Sequence, residues 1–215
     1  MAISPIDFSN VTLAVLAGGR GTRMGIPKVY LKLNGEPILT HLFHRIQWPG
    51  PTMLMNAANL ARPPGSEFFD REVIDSVEGE GPLRGILTAL ESMTTPLAVL
   101  ITVDMPCVNQ RMLAWLLQEW MARSECDGLM CRMQRDAETR IEPFPSVFSR
   151  SAMKAISQRL LTGRRSVSGL LEDQRFVAAD VPADWPRDVW LNVNTPADLG
   201  SFIATRPSCG QTGDS

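Results

Sequence analysis

Apolar residues fall into short dense runs that alternate with stretches where they recur every three or four positions. Residues 11–17, 52–57 and 97–103 are nearly continuous runs, and 72–75 is a shorter one around Val73 and Ile74. Runs without polar alternation suit strands covered on both faces. Between them, Ile38, Leu39, Leu42, Phe43 and Ile46 keep helical spacing after Pro37, as do Leu83, Ile86, Leu87 and Leu90 after Pro82. Met112, Leu113, Leu116, Leu117 and Trp120 predict a third helix. This recurrence of strand, loop and helix predicts an α/β fold: one Rossmann-like domain, a mostly parallel sheet with helices on both faces, in three layers. Further on, 128–133 and 145–148 read as strands, 152–161 and 166–171 as helical, and 189–193 as a last strand before a helix begun at Pro196. The expected division is an N-terminal extension over 1–10, one domain over 11–204 and a disordered tail over 205–215, where apolar periodicity fades.

Composition narrows the function. With 215 residues, 44% of them hydrophobic and 20% charged, the chain can build one sizeable core. A formal net charge of -2 argues against a broad nucleic-acid or anionic-membrane surface, which needs a strongly basic face. An anionic substrate must then meet a local cluster of cations. No apolar run approaches the roughly 20 residues of a bilayer span, and no basic segment precedes the first one. The expected location is the cytoplasm. Cys107, Cys126, Cys131 and Cys209 lack zinc-type spacing and read as reduced packing thiols; His41 and His44 are too few for a metal site.

One stretch concentrates the missing cations. LAGGRGTRMGIPK, residues 16–28, follows the first predicted strand with four glycines, Arg20, Arg23 and Lys28. In an open α/β sheet, ligands collect at the carboxyl ends of strands. Gly18, Gly19, Gly21 and Gly25 permit positive φ and close backbone approach, turning successive N–H groups toward an anion. A triphosphate needs several such donors, each charge-assisted bond contributing about 1.5–3 kcal/mol. The spacing matches neither GxxxxGK[ST] nor GxGxxG, which excludes a P-loop ATPase and an ordinary nicotinamide enzyme on motif grounds.

This loop resembles the signature of nucleotidyltransferases, and within that superfamily the molybdenum cofactor guanylyltransferase family. The resemblance continues through MNAAN (55–59), VIDS and EGPLRGI (73–86), VDMP (103–106), EPFPSVFS (142–149) and NVNTP (192–196). It implies a nucleotidyltransferase fold and transfer of GMP from GTP to the phosphate of molybdopterin, with pyrophosphate released and Mg²⁺ required. It implies that Leu16, Ala17 and Gly18 contact the nucleotide, that Gly19, Arg20, Gly21 and Arg23 wrap its phosphates, and that Lys28 neutralises the transferring or leaving groups. Asn56, Asp75 and Gly81 match nucleotide-binding positions, Asp104 the metal-binding carboxylate, and Asn192 and Asn194 a motif on the pterin side. Transient contacts with proteins that build or insert the molybdenum cofactor follow from the same resemblance.

Each residue also has a plainer reading. Asp104 ends the most apolar strand, where a carboxylate is costly unless paired or metal-bound, but it also precedes a helix it could cap. Asp75 suits a turn, Lys28 an open surface, and the asparagines local backbone groups. IPKVYL resembles a segment of the cytidylyltransferases that act on methylerythritol phosphate. A cytidylyltransferase on that substrate or on molybdopterin, and a non-catalytic nucleotide-binding delivery protein, are the alternatives.

Overall fold

The computed structural model describes residues 6–18, 24–58, 60–75, 79–123, 125–135 and 138–205. In chain order its strands and α-helices are β1 (Val11–Leu16), β2 (Lys32–Leu33), β3 (Glu36–Pro37), α1 (Ile38–Ile46), β4 (Thr52–Ala57), β5 (Arg71–Asp75), α2 (Pro82–Ser92), β6 (Leu97–Thr102), α3 (Gln110–Met121), β7 (Gly128–Arg135), β8 (Glu138–Ser149), α4 (Met153–Leu161), β9 (Phe176–Asp180) and α5 (Pro196–Thr205). Seven strands form one sheet in the order β5-β4-β1-β6-β8-β7-β9. β5, β4, β1 and β6 are parallel neighbours, β8 is antiparallel to β6 and β7, and β9 is parallel to β7. Among the described residues, β8 alone opposes the common direction.

The parity of β1 shows how the layers are built. All six of its residues are buried. Leu13 and Val15 border Leu42, Phe43 and Ile46 of α1, while Leu16, out of phase with them, faces α2, where a Cβ added to Gly85 would lie 3.5 Å from the leucine Cδ2. Alternate residues of a strand point to opposite faces, so helices cover both sides and the expected three-layer fold is present. At the rim of the even-numbered face, the hydroxyls of Thr12 and Thr95 meet at 2.6 Å, satisfying each other inside the core.

Three expectations change. Residues 189–193 are not a strand: a 3₁₀ turn spans Arg187–Trp190, and the Val193 N–H donates to the Asp104 carbonyl, a loop contact in place of a sheet ladder. The segment expected to be helical over 166–171 is a 3₁₀ turn, Ser168–Glu172. β9 was not anticipated, because its FVAAD carries two alanines where β-branched residues would signal a strand. Of the expected N-terminal extension, residues 8–10 form a 3₁₀ turn leading into β1, with the Phe8 and Trp48 rings edge to face at 5.0 Å. α5 reaches Thr205, and the remainder of the expected tail lies outside the described residues.

At the amino-terminal end of β7, Asp127 is 5% exposed and takes a bidentate grip from Arg175, Nε at 2.6 Å and Nη2 at 2.8 Å. The hydroxyls of Ser149 and Ser151 also donate to it. Chiefly the Arg175 hydrogen bonds hold this carboxyl below its ordinary value of 3.8. A lowered folded pKa contributes stability above the unfolded value, lost as pH falls through the folded one. Asp127→Asn therefore lowers the unfolding free energy by about 1–3 kcal/mol at pH 7, and the gap from wild type closes as pH drops below 3.8. Chemical denaturation at pH 7 and pH 3 reads both values.

Candidate active site

The parallel strands β1, β4, β5 and β6 end together, and a cleft of about 490 Å³ opens at those carboxyl ends. Leu16, Gly18, Asn56, Asp75 and Gly81, all expected at a nucleotide site, line it. Its other walls include Met55, Leu60 and Pro82, which give it an apolar lining. Ala17 is buried and ties its N–H to the Met55 carbonyl at 2.9 Å, so it fixes the strand end and does not line the cleft. Gly81, at φ 71°, forms the N-cap of α2 with no side-chain cap, and its neighbour Gly79 takes φ 83°. Pro82 has no N–H and the Arg84 N–H donates to the Gly81 carbonyl at 3.2 Å, so what that helix end, lining the cleft, offers an anion is chiefly the positive end of the helix dipole. Gly25 takes the expected positive φ of 75°, whereas Gly18 stays outside the left-handed region and serves by leaving open space where a Cβ would stand. Gly19, Arg20, Gly21 and Arg23 lie outside the described residues.

Beside the cleft, three residues distant in sequence converge. Lys28 follows the cleft-lining Pro27, and Asp104 stands two residues beyond the cleft-lining Thr102. The Lys28 ammonium donates to Asp104 Oδ2 at 2.5 Å and to Asn194 Oδ1 at 2.5 Å. Both charged side chains are largely sheltered, 21% and 13% exposed. The convergence is built by backbone: Val103 N–H donates to the Leu16 carbonyl, and Val193 N–H donates to the Asp104 carbonyl at 2.8 Å. An ammonium has three donors. Two are used among the described residues, which leaves one there for a ligand. Asp104 Oδ1 is buried with no hydrogen-bond partner among the described residues. An orphaned carboxylate oxygen of this kind costs about 1–3 kcal/mol unless something binds it.

The plainer readings can now be weighed. Asp104 does not cap α3; Asn109 does, accepting from the Met112 N–H at 3.0 Å. Asp75 closes β5, paired with Ala57, and its carboxylate faces Arg84 at 3.8 Å across the cleft wall. Asn56, 2% exposed, accepts from the Ala57 N–H and donates to Glu72 Oε1, each at 3.0 Å, so its amide orientation is fixed. Asn192 does not join the Lys28 group; its amide donates to the Trp190 carbonyl at 3.3 Å. His41 and His44 turn to Glu36, and among the described residues no cluster of three or more His, Cys, Asp or Glu could hold a metal. Cys107 and Cys131 are buried, Cys126 is half-buried, none of the three forms a disulfide within the described residues, and Cys209 lies outside them. Burial pushes the Cys131 thiol far above its ordinary value, so it packs and does not react. Trp115 packs on Trp185 at 4.9 Å, and all four of Trp115, Trp120, Trp185 and Trp190 lie against the core.

Two residues in this arrangement were not expected from sequence. Glu72 orients Asn56, and no local signal marks it. Asp198 accepts from the N–H groups of Asn194 at 2.9 Å and Thr195 at 2.8 Å, while its own N–H donates to Thr195 Oγ1 at 3.1 Å. That reciprocal pair is a capping box, readable in Thr195-Pro196-Ala197-Asp198 as a threonine followed three positions later by an acid. Among the described residues, no helix is long and apolar enough to cross a membrane.

Comparison with known proteins agrees with this geometry. The MobA-like NTP transferase domain matches residues 13–179, most of the chain, from β1 into β9. The chain belongs to the MobA-like NTP transferase family. It is therefore a nucleotidyltransferase. Among the relatives of this MobA-like chain, molybdenum cofactor guanylyltransferase of Acidovorax sp. strain JS42 is 30% identical over 207 residues, covering 90% of this chain and 95% of its own. The crystal structure of molybdopterin-guanine dinucleotide biosynthesis protein A from Archaeoglobus fulgidus superposes with a TM-score of 0.72 at 26% identity, covering 91% and 98% of the two chains. At 14% identity, 2-C-methyl-D-erythritol 4-phosphate cytidylyltransferase from Thermus thermophilus superposes at 0.70 over 90% and 97%, which shows the shared fold alone.

Proposed function

We propose that this chain transfers GMP from GTP to the phosphate of molybdopterin. An oxygen of the molybdopterin phosphate attacks the α-phosphorus of GTP. The bond from that phosphorus to the α,β-bridging oxygen breaks, pyrophosphate leaves with the bonding electrons, and molybdopterin guanine dinucleotide results. The carrying observation is the Lys28 ammonium, fixed between Asp104 and Asn194 with a third donor unused among the described residues, beside a cleft that Leu16, Gly18, Asn56, Asp75 and Gly81 line. The guanylyltransferases among its relatives supply the choice of nucleotide and acceptor.

The attacking phosphate is already anionic, so no general base is required; positioning and charge stabilisation provide most of the acceleration. Lys28 donates to the reacting phosphates, and the uncapped amino end of α2 and the glycine loop hold the polyphosphate. Asn56 and Asp75 fix the nucleoside end, and Asn194, with Asn192 near it in the chain, borders the acceptor. Asp104 Oδ1, buried and unpartnered, fits a magnesium ion, which takes one or two protein oxygens and completes its shell with phosphate and water. Bound there, magnesium supplies Lewis-acid stabilisation of charge on the phosphates.

Pyrophosphate release in the presence of molybdopterin, Mg²⁺ and either GTP or CTP tests the reading. Turnover with GTP at least 10-fold above CTP supports it; preference for CTP makes the chain a cytidylyltransferase, and binding without release makes it a delivery protein. Polar mismatch at a hydrogen-bonding base site discriminates by up to about 10⁴–10⁵, so the outcome is well resolved.

A further inference from the structure

We infer that Asp198 is a positioning residue for the reaction: through the backbone of Asn194 it fixes the amide that fixes Lys28. The inference rests on the nucleotidyl-transfer reading above, but not on which base the enzyme selects.

The chain of contacts is continuous. One carboxylate oxygen, Asp198 Oδ2, accepts from two successive N–H groups, Asn194 at 2.9 Å and Thr195 at 2.8 Å. A helix-capping role needs only the second of these. The first reaches one residue further back, to the residue whose side-chain oxygen holds the Lys28 ammonium at 2.5 Å. The Asp198 carboxyl is held below its ordinary value, first by the Asn194 N–H, then by Thr195, with Lys28 itself contributing through charge. An ionised group therefore stands behind Asn194 at neutral pH. Val193, the residue before Asn194, is pinned to the Asp104 carbonyl, so the turn is anchored on both sides: to the strand that presents Asp104 and to the helix that presents Asp198. Removing one anchor frees the asparagine to turn and leaves Lys28 with Asp104 alone. A lysine held by one partner in place of two is more open to solvent and is no longer fixed where a phosphate must meet it.

The sequence makes the test clean, because it holds three lysines, of which Lys32 and Lys154 are exposed. Acetylation of the intact protein under limiting reagent, followed by peptide mass spectrometry, reads Lys28 against two internal references. In wild type Lys28 reacts slowest. Asp198→Ala removes the acceptor for both N–H groups and raises the Lys28 rate about fivefold relative to Lys32 and Lys154, because a sheltered amine has lost one of two partners; Asp198→Glu brings it back toward wild type. Thr195→Ala removes the acceptor for the Asp198 N–H without touching the bond to Asn194, and leaves the Lys28 rate near wild type. Kinetically, Asp198→Ala lowers kcat about 10- to 100-fold, as loss of an outer hydrogen-bond partner does, with KM for the nucleotide changed less than about threefold. In an Asn194→Ala background the same substitution adds little.

An unchanged Lys28 labelling rate in Asp198→Ala, or equal effects of Thr195→Ala and Asp198→Ala, overturns the inference and leaves Asp198 a helix cap. Labelling needs no substrate, so it decides the matter even if wild type proves inactive with GTP and molybdopterin, a result that counts against the proposed function instead. Should Asp198→Ala fail to fold, Asp198→Glu and Asn194→Ala carry the same comparison.

Discussion

Lys28→Ala lowers kcat about 10²- to 10³-fold while KM for GTP changes much less, the loss expected when one preorganised donor is removed from a developing charge. The expectation follows from where the ammonium sits. Asp104 Oδ2 and Asn194 Oδ1 hold it at 2.5 Å each, so its position is set before substrate arrives and no side-chain freedom is lost in the transition state. Truncation has a second consequence, since it strips the cation from a carboxylate that is 13% exposed. Asp104 would then face burial without compensation, which costs stability. Lys28→Met, which keeps the stem, separates the two effects: thermal unfolding reports the lost ion pair, and single-turnover kinetics report the lost donor. A folded Lys28→Met protein with wild-type turnover would remove Lys28 from the chemistry.

Asp104→Asn is expected to abolish most activity, about 10³-fold or more, and to erase its dependence on added magnesium. The carboxamide keeps the shape and can still accept from Lys28, but it is a poor ligand for a hard divalent ion. The orphaned Oδ1 identifies which atom matters. A readout independent of turnover is available, because ligands that bind the native state raise the unfolding midpoint. In wild type, magnesium adds to the stabilisation given by GTP; in Asp104→Asn the increment disappears. An increment of unchanged size would move the metal to another residue.

Much of the fold is legible in the residues themselves, for a physical reason. Strands buried on both faces carry dense apolar runs, so β1, β4 and β6 are easily found, and helices with one buried stripe keep their spacing, as in α1, α2 and α3. The elements that escape are those whose stability comes from neighbours. β8 extends back to Glu138, yet its first three residues are exposed and polar, held by pairing with β7. The short hairpin β2–β3 is different: its Asn34-Gly35 turn, at φ 51° and 89°, is a strong local hairpin signal. The stretch 189–193 has strand-like composition but spends its hydrogen-bonding capacity on Asp104 and a turn.

The site divides along the same line. Glycines, a lysine and an aspartate at strand ends announce a phosphate site, since their chemistry is local. The partnership of Lys28, Asp104 and Asn194 is not local: it joins positions 76 and 166 residues apart, and only the parallel sheet brings them together. Asn192, placed by motif alone, turns instead to its own backbone. Asp198 was within reach, because a capping box is a sequence pattern; its further bond to Asn194 is visible only in three dimensions.

A crystal structure with magnesium and a GTP analogue carrying a non-cleavable α,β-bridge tests the central claim most directly. The expected result is a polyphosphate along residues 18–28 and the amino end of α2, a phosphate oxygen within hydrogen-bond distance of Lys28 Nζ, and the metal on Asp104 Oδ1. A nucleotide bound away from the cleft beside Gly18, with Asp104 Oδ1 still unpartnered, would contradict it.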